Sequence, residues 1–191
     1  MPSRPSTAAA PPALHTIGHG NRGLAAFLAL LAEAGVRRVV DVRRHPVSRR
    51  HPHFARRALA GALADAGLDY VHMEDLGGRR PLPAGLPADV AGLRDPGLRA
   101  YAVWAQGPRF AAALARLIRL AAERPTAILC AEVDPARCHR RVLTDHLLAR
   151  GVRVLHILAP GRIVPATPSP EAEIRGGRVR YPPPVPDLFG G

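Results

Sequence analysis

The sequence predicts a doubly wound α/β domain: a mainly parallel five-stranded sheet with helices on both faces, followed by a C-terminal hairpin or extended tail. Three observations predict it. Short apolar, β-branched runs alternate with stretches whose apolar residues recur every three or four positions. Glycines punctuate the joints between the two patterns. The length of 191 residues suits one compact domain with a single sizeable core.

The elements follow in order. Leu14 to Gly18 reads as a strand that meets the polar turn HGNRG, after which Leu24, Phe27, Leu28 and Leu31 recur at helical spacing up to Gly35. Arg37 to Val42 is a second strand, and its Asp41 needs a reason, because a buried parallel strand normally reads as a continuous apolar run. A helix over Ala55 to Ala66 ends at Gly67, and Asp69 to Met73 is a third strand. Proline and glycine crowd Gly77 to Pro96, which predicts a long irregular excursion carrying Tyr101 and Trp104 onward to Pro108. Pro108 is suited to the first turn of the next helix. Thr126 to Ala131 is the fourth strand, Cys138 to Arg150 a helix, and Val152 to Leu158 the fifth strand. Alternation of this kind requires right-handed crossovers and a sheet covered on both sides. The domain is expected over residues 13–160. Residues 161–191 are expected to hold a hairpin turning at Gly176 and Gly177 and a Pro-rich end, and Met1 to Pro12 reads as a disordered leader.

Twenty-seven basic residues stand against 15 acids, giving a net charge of +12, and every basic residue among them is Arg. A field of this sign favours anionic partners such as DNA, RNA or nucleotides. No apolar stretch approaches a membrane span, and Cys130 and Cys138 match neither a redox CxxC pair nor a zinc-finger pair, so a cytoplasmic protein with reduced thiols and no membrane partner is expected.

The candidate site gathers at strand ends, where open α/β sheets bind ligands. TAILCAEVDPARCHRR runs from a strand into Glu132, Cys138, His139 and Arg140, of which Arg140 is expected to bind phosphate. The first turn holds Gly18, His19, Asn21 and Arg22, whose backbone amides suit an anion, or in which Asn21 caps a helix. Asp41 opens the segment DVRRHPVSRRHPHFARR with Arg43, Ser48 and Arg49, either an Arg cradle for phosphate or a solvated basic face. Gly78 and Arg79 add a basic turn, and Tyr101 is a surface for stacking on a base or a packing residue. Surrounding Arg opposes a metal at His45, His51 and His53, and no metal or cofactor is expected. Cys138 is either a thiolate nucleophile or a packing residue. Asp41 and Glu132, if their strands are close, form a carboxylate pair for acid-base work at an oxocarbenium-like centre; alternatively Glu132 pairs with an Arg.

TIGHGNR, VVDVRRHPVSRRHPHF, YVHMEDLGGRR and CAEVDPARCHRR, in this order, resemble the bacterial and archaeal family named domain of unknown function 488. The resemblance spans roughly Leu14 to Leu158 and implies a small cytoplasmic α/β domain with its polar residues at one end of the sheet. By position it points to Gly18, His19, Asn21, Arg22, Asp41, Arg43, Pro46, Ser48, Arg49, Phe54, Gly77, Gly78, Arg79, Glu132, Cys138, His139 and Arg140. His19 departs from the Ser common in the family at that place. The expected function is an enzyme of hydrolase or glycosyl-transfer type acting on nucleic acid or nucleotides at an N-glycosidic bond or modified base, as in DNA repair. Asp41, Glu132, Cys138 and His139 are its expected chemical groups. The alternatives are a non-enzymatic nucleic-acid-binding protein and a Cys138-dependent enzyme for a small anion.

Overall fold

The computed structural model describes residues 13–47 and 50–184. The expected leader, the phosphate contacts expected of Ser48 and Arg49, and the last part of the Pro-rich end lie outside the described residues. The order is β1 (Leu14–Gly18), α1 (Leu24–Glu33), β2 (Arg38–Asp41), α2 (Arg56–Asp65), β3 (Asp69–His72), α3 (Pro96–Trp104), α4 (Pro108–Glu123), β4 (Thr126–Cys130), α5 (Arg140–Leu148), β5 (Val154–Ala159), β6 (Arg162–Pro165), β7 (Glu173–Arg175) and β8 (Arg178–Arg180).

The main sheet has strand order β3-β2-β4-β1-β5-β6. Its first five strands are parallel, and β6 runs antiparallel to β5. The sheet therefore has six strands, not the expected five. The extra strand is short and contains proline at its end, features that the edge of a sheet tolerates and a sequence pattern hides. Alternation along the strands sends Ile17, Val39 and Leu129 to a core shared with Phe27 of α1 and Leu59 of α2. Leu14, Val40 and Ile128 face the opposite core, with Tyr101 of α3, Phe110 of α4 and Val142 of α5. Helices thus cover both faces, and the chain reverses its direction of winding between β1 and β4. The crevice at such a reversal is where open α/β sheets bind ligands.

The excursion is more ordered than its prolines suggest. Asp95 accepts a hydrogen bond from Leu98 N and Pro96 occupies the first turn, so α3 begins where an irregular segment was expected to continue. The hairpin β7–β8 turns at Gly176 and Gly177, both at positive φ, as the Gly-Gly pair predicts. It is tied to α5: Tyr181 Oη and Ser169 Oγ donate to Asp145 Oδ2 at 2.8 and 2.7 Å. Among the described residues, no helix is long and apolar enough to cross a membrane.

Candidate active site

A cleft of about 830 Å³ opens beyond the carboxyl ends of β1, β2 and β4. Strand pairing continues past the strand ends, with His19 N donating to Cys130 O and Gly20 N to Ala131 O at 3.0 and 2.8 Å. A side chain at Gly18 would meet the Glu132 backbone, so only glycine lets the two strand ends lie this close. Arg22 donates to the carbonyls of Gly18 and Leu158, which ties β1 to the end of β5 and occupies the guanidinium expected to hold an anion. Asn21 does not cap α1, whose cap is Gly23; its Oδ1 lies 3.1 Å from His51 Nε2 at the cleft wall.

The α1/α2 side of the cleft is built on Asp41. This carboxylate is fully buried. Its Oδ1 accepts from Arg43 N and Nε at 3.0 and 2.9 Å, and Oδ2 from Arg43 Nη2 and Tyr70 Oη at 2.6 and 2.8 Å. Both oxygens are saturated, so the expected role of Asp41 in acid-base chemistry is corrected: it fixes Arg43, which lines the cleft. Tyr70, which the sequence did not mark, has its pKa raised by burial and by the Asp41 charge. Arg43 Nη1 reaches His19 Nε2 at 3.4 Å, and the His19 ring stacks on Phe54 with centroids 4.3 Å apart. Burial, with Arg43 adding repulsion against the Gly20 carbonyl's opposite pull, pushes the His19 pKa down to about 4. His19 is therefore neutral at physiological pH.

The α5 side carries the thiols. Cys130 shares the strand parity of Ile128 and so faces α5, and its Sγ lies 3.3 Å from Cys138 Sγ. His139 Nδ1 is 3.5 Å from Cys138 Sγ and 3.8 Å from Cys130 Sγ. Arg140 Nε donates to Cys138 Sγ at 3.5 Å, and its other nitrogens donate to Thr16 Oγ1 and to the carbonyls of Glu132 and Val133. Cys138 is not inside the helix: it closes the short turn Pro135–Arg137, and α5 starts at Arg140. Arg140 is 1% exposed and, among the described residues, pairs with no carboxylate, so its expected contact with substrate phosphate is corrected to a buried charge beside a thiol. The hydrogen bond between the two sulfurs lowers the Cys138 pKa; burial opposes this, and His139 and Arg140 add to the lowering. The same hydrogen bond, with burial, raises Cys130. The two sulfurs thus share one hydrogen bond, and of the pair Cys138 is the one driven toward the thiolate.

Tyr101 is fully buried, donates to Leu76 O at 2.7 Å and meets the His139 ring edge-on at 5.0 Å. It supports His139 from below and presents no face to a base, which corrects the stacking role. Gly78 crosses His139 so closely that a Cβ there would lie 2.8 Å from Nδ1. Arg79 follows at φ +55, a left-handed conformation uncommon for a residue with a side chain, and is exposed on the cleft wall. Arg44 and Arg50, from the basic segment that opens at Asp41, line the same cleft together with Arg137. Glu132 is exposed on the cleft, with Oε1 accepting from Val133 N and Asp134 N at 2.9 and 3.3 Å.

Cys130, Cys138 and His139 place three donor atoms within 4.8 Å of one another, a set that suits a soft metal in kind. Two features oppose a cation there. Arg140 already donates to Cys138 Sγ, and buried His139 Nε2 has no acceptor of the sort that orients a metal-bound imidazole. The geometry suits a hydrogen-bonded thiolate better. The signal for the Cys130 contact was present in the sequence as strand parity, which aims Cys130 at the helix that follows. The Asp41–Tyr70 contact had none, because it depends on β2 and β3 being neighbours.

Comparison with curated proteins finds no match, and comparison with solved structures finds none either. The family described as domain of unknown function DUF488 matches residues 23–147, more than half of the chain, a span running from the start of α1 into α5 and taking in Asp41, Arg43, Arg79, Glu132 and the Cys138–His139–Arg140 run. With its polar residues converging on one end of an α/β sheet, the chain belongs to the DUF488 family.

Proposed function

We propose that this protein is an enzyme acting on a nucleic acid or nucleotide, in which the Cys138 thiolate attacks an electrophilic centre while cleft arginines hold the phosphates. One observation carries the reading: among the described residues the buried Arg140 guanidinium has a cysteine sulfur and neutral oxygens as partners and no carboxylate, so a thiolate is the anion that compensates it. A thiol so placed is a nucleophile near neutral pH, whereas an ordinary buried cysteine is inert. Exposed Arg50, Arg79 and Arg137 and buried Arg43 give the cleft the fork-shaped donors that suit phosphate. The volume is that of a site for a small ligand or a single nucleotide unit. His139 Nδ1 faces the sulfur and is positioned to exchange a proton with it.

The glycosidic version of the reading, with two chemical carboxylates, loses support because Asp41 is buried and saturated. Of that pair only Glu132 lines the cleft, its Oε1 engaged by backbone amides.

The test is alkylation of Cys138 by iodoacetamide across pH, with and without nucleotides and short DNA or RNA. The expected result is a rate that stays high well below the ordinary thiol pKa of about 8.5 and falls several-fold when an oligonucleotide or nucleotide fills the cleft. A rate that tracks an ordinary thiol, or one that no phosphate-bearing ligand lowers, overturns the reading.

A further inference from the structure

The cleft contains a second cysteine that the nucleophile proposal does not use. Cys130 Sγ, only 7% exposed by residue, sits 3.3 Å from Cys138 Sγ, and both residues line the cleft. A disulfide requires about 2.05 Å, so closure needs roughly 1.3 Å of approach from the observed separation. Cys130 is fixed at the end of a central strand, while Cys138 lies between the turn Pro135–Arg137 and α5, in connecting chain that can supply that movement.

We propose that Cys130 and Cys138 form a redox-active pair, in which Cys138 reduces a small hydroperoxide and Cys130 resolves the product as a disulfide across the cleft floor. The proposal rests on the thiolate reading of Cys138. The thiolate attacks the terminal oxygen of the hydroperoxide, the O–O bond breaks, and Cys138 becomes a sulfenic acid while the alkoxide leaves and takes up a proton from water. The Cys130 thiol then attacks that sulfur, the S–S bond forms, the S–O bond breaks, and hydroxide departs with the Cys130 proton as water. Two thiols are oxidised and one peroxide is reduced by two electrons.

Arg140 sets the direction in which the pair is poised. Closing the disulfide removes the anion beside a buried guanidinium that has no carboxylate partner among the described residues, so the reduced form is favoured and the bond is readily opened by an external dithiol. Oxidation also withdraws the nucleophile, which makes activity at the cleft dependent on the thiol state.

The experiment uses the full reduced chain treated with equimolar hydrogen peroxide, then denatured, alkylated and weighed by mass spectrometry. Alkylatable thiols are expected to fall from two to none, with loss of two hydrogen masses, a Cys130–Cys138 cross-linked peptide, and full recovery in dithiothreitol. The Cys130→Ser variant is expected to stop at the sulfenic acid, trapped by dimedone on Cys138. Conversion of Cys138 to sulfinic acid while Cys130 remains alkylatable overturns the pair, as does a disulfide formed only between chains. Failure of the nucleophile reading is distinguished by the alkylation profile: fast alkylation of Cys138 at low pH without a disulfide removes the pair alone, and slow alkylation removes both.

Discussion

At the scale of single residues, partners decide which acids and cations are free to act. Asp41 and Glu132 look equivalent in the sequence, each at the end of a central strand, yet one is buried with four donors on its oxygens and the other is exposed. Asp41→Asn leaves Arg43 buried without its counter-charge and is expected to cost about 3 kcal/mol, the range for breaking a buried pair; urea denaturation measures it. Glu132→Gln removes an exposed charge and is expected to shift the same midpoint little. In a turnover assay on a verified substrate, Cys138→Ser is expected to abolish activity while Glu132→Gln retains most of it. The reverse order would return the chemistry to the carboxylate.

At the scale of elements, close approach governs the site. Gly18 and Gly78 both pack against the α5 side of the cleft, but Gly18 faces backbone and Gly78 faces an imidazole. Gly18→Ala is therefore expected to cost more than the ~1–3 kcal/mol typical of overpacking, since a strand end cannot yield, whereas Gly78→Ala is expected to remain within that range because a ring can turn. The displaced His139 would then support the thiolate less well, so alkylation of Cys138 near pH 6 is expected to slow relative to pH 9 in Gly78→Ala. Equal slowing at both would indicate a loss of access instead. Much at this scale was legible in the sequence: the five parallel strands, α1, α2, α4 and the Gly-Gly hairpin all follow from periodicity and punctuation. What escaped it has a common cause. The sixth strand and the contacts of Arg140 and Tyr101 depend on which elements become neighbours, and strand order is not written in local pattern. Arg140 reads from the sequence as a phosphate-binding cation at a strand end, and only the fold of TAILCAEVDPARCHRR back onto β1 buries it.

At the scale of the molecule, charge and burial give two measurable behaviours. If Arg44, Arg50, Arg79 and Arg137 contact phosphates, duplex DNA affinity is expected to fall about a hundredfold between ~50 and ~200 mM salt, from release of roughly four counterions; fluorescence anisotropy at two salt concentrations measures the slope, and a flat response excludes phosphate binding by the cleft. The second behaviour is acid sensitivity. His19, His146 and His156 are each pushed down to about 4 from an ordinary value of 6.5, in every case chiefly by burial, with nearby Arg43, Arg150 and Arg140 respectively adding to it. Between those two pH values the unfolded chain binds protons on these rings that the folded chain refuses, so stability is complete above the unfolded pKa and is lost as pH falls toward the folded one. Asp145, whose pKa is raised by burial, acts in the opposite sense, but it stands against these three and against His15 and Cys138, which are lowered as well. The urea midpoint is therefore expected to drop continuously from about pH 7 to about pH 4. Replacing His146, which packs edge-on against Phe110 at 5.0 Å, with Gln is expected to flatten that dependence by roughly one group's share even where it lowers stability overall. An unchanged slope in His146→Gln would mean that this ring is already protonated inside the fold, at odds with its burial beside Arg150.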